Sequence, residues 1–188
     1  MRNRLAPTET KREAILQAAA ELMLKHGFRG TSMEAIARSA GVAKPTLYAC
    51  FPDKTAVFAE LVQRVVAEWR GNFLAALAGD GDVVTRVGAA LTAKTKGTLR
   101  LISASPHAAE LYSEHDRLSA PLLRDYDRQV SGALEAALRE AGVAQARFLT
   151  QVLLAASFGI GHKAQSPAEL GPALRLLAER LVRPELPR

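Results

Sequence analysis

The fourteen residues GVAKPTLYACFPDK, Gly41–Lys54, decide how the rest of the chain is read. Gly41 can take a left-handed stop that few other residues accept. Pro45 suits the first turn of a helix, where its missing N–H would be unpaired anyway. Phe51-Pro52 ends that helix, and Asp53 can cap the next. What remains is a helix of about two turns, roughly Lys44 to Cys50, too short to hold itself together in water. It needs a mount. Leu47 and Phe51 face inward to provide one, leaving Thr46 and Tyr48 on the exposed side and Lys44 at the amino end.

The mount lies just upstream. Ile15, Leu16, Ala19, Leu22 and Met23 form one apolar stripe at helical spacing, and Gly27 stops it. Thr31-Ser32-Met33-Glu34 reads as a capping box, with the Thr31 hydroxyl accepting from a first-turn amide and Glu34 reaching back. Ile36, Ala37 and Ala40 bury the second helix. Two helices joined by a tight glycine turn describe a helix-turn-helix, in which the second member enters the DNA major groove. Lys44 is placed to donate to a guanine edge or a phosphate, and the Thr46 and Tyr48 hydroxyls to phosphates. Lys54 would hold a further phosphate with its helix-start amides and its charge. Thr31 and Pro45 complete the predicted DNA-facing set.

Beyond this unit the chain still reads as helix. A long fourth helix, about Lys54–Ala78, carries Val57, Phe58, Leu61, Val65, Trp69 and Phe73 at helical spacing, and Gly79-Asp80-Gly81-Asp82 is a clear loop. Further helices are expected near 83–104, 106–115, 119–141, 145–163 and 167–182. Strand alternation is nearly absent. The expected fold is all-α: a three-helix helix-turn-helix domain with an amino-terminal arm over 1–55, and a larger helical domain over 56–188.

Composition agrees with an anionic partner. The 188 residues carry a net charge of +6, and residues 1–55 alone hold nine Lys or Arg against five Asp or Glu. A single cysteine, Cys50, excludes an intrachain disulfide and suits a reducing compartment. The basic amino terminus leads into no apolar run, so no signal peptide is expected. The longest apolar stretch, near 152–160, is about half of the roughly 20 residues a membrane span needs. No Ser/His/Asp grouping, glycine-rich phosphate loop or metal spacing supports an enzyme, a cofactor or a metal site. An architectural DNA binder would have little use for so much apolar helical chain after the motif.

Residues from about 9 to 58 resemble the DNA-binding domain of TetR-type transcriptional regulators. The matching pieces are His26-Gly27-Phe28, Thr31-Ser32-Met33-Glu34-Ala35-Ile36-Ala37, Ala40-Gly41-Val42, Thr46-Leu47-Tyr48 and Phe51-Pro52-Asp53-Lys54. The family often has Ser where Ala43 stands, so a usual helix cap is missing, and often His or an aromatic where Cys50 stands. The resemblance implies a cytoplasmic bacterial repressor that binds a near-palindromic operator in double-stranded DNA as a homodimer and is released by a small-molecule effector. It also implies an effector cavity beside the fourth helix, for which Trp69, Phe73, Tyr112 and His115 are the first candidates. The last two helices would pair with their copies. Phe148, Val152, Ala156 and Gly159 on one, and Leu170, Leu174, Leu177 and Leu181 on the other, are the expected dimer residues.

Overall fold

The computed structural model describes the backbone of residues 7–103 and 105–187, and side chains over 9–100, 105–107, 110–111 and 120–187. Among the described residues all regular structure is helical. The order is α1 Pro7–His26, α2 Met33–Ser39, α3 Lys44–Cys50, α4 Lys54–Leu77, α5 Val83–Ser103, α6 Ala108–Glu140, α7 Ala146–Lys163 and α8 Pro167–Leu181, then a 3-10 turn at Arg183–Glu185. Glycines with positive φ stand at the stops read from the sequence, including Gly27 (φ 76°) after α1 and Gly41 (φ 65°) between α2 and α3.

The chain divides into two compact units. One runs to Val65 and adds Ile102–Ala120; the other comprises Val66–Leu101 and Pro121–Arg188. Helices α4, α5 and α6 therefore each contribute to both. In the first unit Ile15, Leu16 and Ala19 of α1, Ile36 and Ala37 of α2, Leu47 and Phe51 around α3, and Val57 and Phe58 of α4 are all buried. In the second unit the core includes Phe73, Leu91, Leu134, Leu138, Leu153, Leu170 and Leu174, each fully buried. A large aliphatic or aromatic side chain so placed contributes about 1.5–3 kcal/mol.

Two local expectations are corrected. The break expected near Asp116, between helices 106–115 and 119–141, is absent: α6 runs unbroken through 33 residues with Pro121 inside it. One proline removes one ladder bond and can be accommodated within a long helix, whereas no glycine near it offers a left-handed exit. The cap of α2 is Ser32, whose side chain accepts from the Ala35 N–H at 3.2 Å. Thr31 is instead buried, and its hydroxyl donates to the Gly27 carbonyl at 2.8 Å. Adjacent hydroxyl residues offer the same cap in sequence; the path of the preceding turn turned Thr31 inward and left Ser32 at the helix mouth.

Candidate nucleic-acid interface

Helix α3 is held from beneath. Leu47 has no exposure and Phe51 almost none. Arg12 of α1 clamps its carboxyl end: Nη1 donates to the Cys50 carbonyl at 3.0 Å, and the guanidinium lies 4.2 Å from the Phe51 ring centroid. The same guanidinium makes a two-point pair with Glu60 of α4, Nε to Oε1 at 3.1 Å and Nη2 to Oε2. Arg64 extends the network to Glu60, at 3.3 Å, and to Glu13. Arg12 is the largest cause of the lowered pKa of the Glu60 carboxyl. A forked guanidinium suits this task because it satisfies a carboxylate, a carbonyl and an aromatic face together. Cys50 is a free, half-buried thiol at that same end.

So mounted, α3 turns Lys44, Pro45, Tyr48 and Ala49 outward, with Tyr48 47% exposed and Thr46 half-buried. Ala43 stands at the N-cap without a side-chain bond, as its residue type requires, and Pro45 sits in the first turn. The Lys44 ammonium pairs with Glu34 of α2 at 3.1 Å, both side chains about half exposed. The backbone N–H of Glu34 itself is the largest cause of its lowered carboxyl pKa, followed by Lys44. This is an open pair that an incoming phosphate or base can exchange. Arg38, in the last turn of α2, is also exposed. Nothing in the local sequence pattern sets it apart from any other solvated arginine.

Lys54 takes a different part from the one expected. Its ammonium donates to the Phe28 carbonyl at 2.6 Å and the Thr31 carbonyl at 2.7 Å, and lies 4.5 Å from the Phe28 ring centroid. The charge thus ties the α1–α2 turn to the start of α4 and is engaged within the protein. The phosphate role expected of its ammonium does not fit this placement. Asp53 caps α4 by accepting from the Ala56 N–H at 2.8 Å. Thr31, buried, presents no hydroxyl to solvent.

The remaining candidates lie in the second unit or outside the described side chains. Phe73 is fully buried core. Trp69 is half-buried, its ring 6.4 Å from that of Tyr126. The side chains of Tyr112 and His115 lie outside those described. On the last two helices Leu170 and Leu174 are wholly buried within the chain, so they cannot reach a partner. Phe148 is 63% exposed, Gly159 is exposed, and Val152, Ala156, Leu177 and Leu181 are half-buried. Phe158 (67% exposed) and Leu176 (57%) are further exposed apolar side chains of α7 and α8, with the His162 ring stacked 6.3 Å from Phe158. Among the described residues no helix is long and apolar enough to cross a membrane.

The sequence profile of bacterial regulatory proteins of the tetR family matches residues 15–61, the span from α1 into α4. The HTH-type transcriptional regulator RutR of Escherichia coli K12 is 32% identical over 130 residues, 69% of this chain and 58% of RutR. The HTH-type transcriptional activator FasR of Mycolicibacterium smegmatis is 35% identical over 91 residues, 48% of this chain and 41% of FasR. The chain thus spans about half the length of the curated relatives it matches. In fold it is similar to a TetR/AcrR-family regulator from Thermobifida fusca, with a TM-score of 0.70 at 24% identity over 89% of this chain and 96% of that one.

Proposed function

Because the chain belongs to the TetR-type family of DNA-binding transcriptional regulators, we propose that it is a ligand-responsive repressor acting as a homodimer on a near-palindromic operator. The observation that carries this reading is α3: a two-turn helix pinned by Leu47, Phe51 and Arg12 that directs Lys44, Pro45 and Tyr48 outward together. Residues 1–55 read the DNA, with Lys44 and Thr46 at its amino end, Tyr48 on the phosphates and Arg38 beside them. Residues 56–188 bind the effector and form the dimer. The exposed Phe148 and Phe158 of α7 and Leu176 of α8 support a second copy, since large exposed apolar patches mark interaction surfaces. Twofold symmetry then sets two half-sites about one helical turn apart, roughly 34–36 Å, or a multiple of it. The effector stabilises a state in which the two α3 helices no longer match that spacing, and the coupling is reciprocal.

Purified protein is titrated against duplex from upstream of its own gene and against random duplex, over a salt series. A specific regulator prefers its own site by at least about a thousandfold. Equal binding to both, with only a steep salt slope, rejects it in favour of an architectural binder. A second sign of regulation is favoured by one relative, FasR, which is an activator by name. A reporter behind the operator decides: deletion of the regulator raises expression if it represses and lowers it if it activates.

A further inference from the structure

In the second unit two neighbouring polar groups have no hydrogen-bond or ion-pair partner among the described residues. Tyr126, on α6, is only 6% exposed, and its hydroxyl is buried without a hydrogen-bond partner. The Lys94 ammonium, from α5, rests 5.7 Å from the centroid of that ring, with no hydrogen bond or ion pair among the described residues. Asp127, next along α6, acts on Lys94 only through its field. Trp69 of α4 also lies against Tyr126, at a 57° tilt. Trp69 is itself seated on Gly97 of α5, where any Cβ would come within 2.7 Å of the indole Nε1. Burial lowers the lysine's pKa and pushes the tyrosine's up to about 12.

Such an arrangement is costly for a folded protein left by itself. A buried hydroxyl without a partner costs about 1–3 kcal/mol, and holding a half-buried ammonium against the ring without a direct partner adds to that. Both groups can donate, and neither has an acceptor among the described residues.

We propose that Lys94 and Tyr126 receive the carboxylate of a small organic monoanion whose apolar body packs on Trp69. This rests on the ligand-responsive reading above and names the chemistry of its effector. A carboxylate is acceptor-only, and so complements an ammonium and a phenolic O–H together. One lysine balances a single charge, and Asp127's negative field opposes a second, as on the dianionic form of a phosphate. The aromatic walls favour a flat or aliphatic body over a sugar. The Tyr126 hydroxyl is closed off in the ligand-free protein, so an anion that reaches it must part α5 from α6 at this level. That displacement is the differential interaction a ligand needs in order to shift a conformational equilibrium.

Trp69 is the sole tryptophan of the chain, so intrinsic fluorescence of the full-length protein reads this site directly. Benzoate, phenylacetate and octanoate are titrated, with phenylacetamide as the neutral isostere and inorganic phosphate as the other anion. At least one carboxylate is expected to give a saturable change at millimolar concentration or below, with the amide and phosphate about tenfold weaker or more. Lys94→Met should abolish the preference for carboxylate over amide, and Tyr126→Phe should weaken carboxylate binding several-fold. Absence of a saturable change with all three carboxylates overturns the proposal, as does carboxylate binding that survives Lys94→Met unaltered, or phosphate binding tighter than carboxylate. Circular dichroism of both variants verifies that they fold. Operator binding is measured separately. Carboxylate binding without any effect on operator affinity upholds this site while counting against ligand response. An operator response to carboxylate that persists in Lys94→Met overturns the site and leaves the regulatory reading intact.

Discussion

The carboxylate of Glu110, at the start of α6, accepts the backbone N–H of Arg29 at 2.8 Å across 81 residues of sequence. Ser105, just before α6, donates to the Leu24 carbonyl at 2.5 Å and accepts from the His107 N–H at 3.0 Å. The turn between α1 and α2 therefore has its free backbone groups satisfied by residues from far along the chain. Gly27 makes this approach possible: its φ is +76°, and a Cβ there would overlap the Glu110 carboxylate.

Gly27→Ala combines a left-handed backbone with that overlap. It should destabilise the protein by about 2 kcal/mol or more, the left-handed conformation alone costing about 1–2 kcal/mol. Glu110→Gln keeps an acceptor for the Arg29 N–H and should cost clearly less than Glu110→Ala. Urea unfolding of the three variants, with unchanged slopes, checks the order.

Lys54→Met removes the donor to two carbonyls of the α1–α2 turn. The loss should be visible without DNA, as about 2 kcal/mol of stability, because hydrogen bonds to charged groups contribute about 1.5–3 kcal/mol. Full stability with weakened DNA binding would restore the phosphate role expected from sequence.

Lys44→Ala should weaken operator binding by about 1–3 kcal/mol if the ammonium reads a base. Its stability should move by less than about 0.5 kcal/mol, since its pair with Glu34 is exposed. Glu34→Gln frees Lys44 and removes a negative charge beside it, so operator affinity should rise several-fold in a mobility-shift titration at low salt.

Phe158→Glu and Leu174→Ala separate the two faces of the last helices. The first alters a side chain 67% exposed and should shift the protein toward monomer in sedimentation, with little change in the fold. The second opens the core around a side chain with no exposure and should cost about 2–5 kcal/mol. A Phe158→Glu protein that remains dimeric would place the interface elsewhere.

Asp82 gives the pH dependence a definite sign. The Thr85 N–H, at 2.9 Å, holds its carboxyl down to about 2, helped by the Thr85 hydroxyl at 2.7 Å and by Arg183 at 3.0 Å. The folded value lies below the unfolded one near 4, so the stabilisation is whole above about pH 4 and fades as pH falls toward 2. Asp82→Ala should cost about 1 kcal/mol at neutral pH, as loss of a helix cap does. The difference from the unaltered protein should vanish near pH 2 in a series of thermal melts.

Local chemistry was enough for the sequence alone to determine much of this protein. Helix periods, the glycine stops at Gly27 and Gly41, the cap at Asp53 and the proline in the first turn of α3 each depend on residues within about one turn of chain. The all-helical class and the outward Tyr48 on the inward Leu47 follow from them. Only tertiary structure decided the rest, because burial and charge pairing are settled by neighbours remote in sequence. Leu174 and Leu176 are equally apolar, yet one is sealed against its own chain and the other is left exposed. Lys54 reads as a surface cation until the Phe28 and Thr31 carbonyls are brought to it. Lys94 and Tyr126, 32 positions apart, become one group only when α5 meets α6.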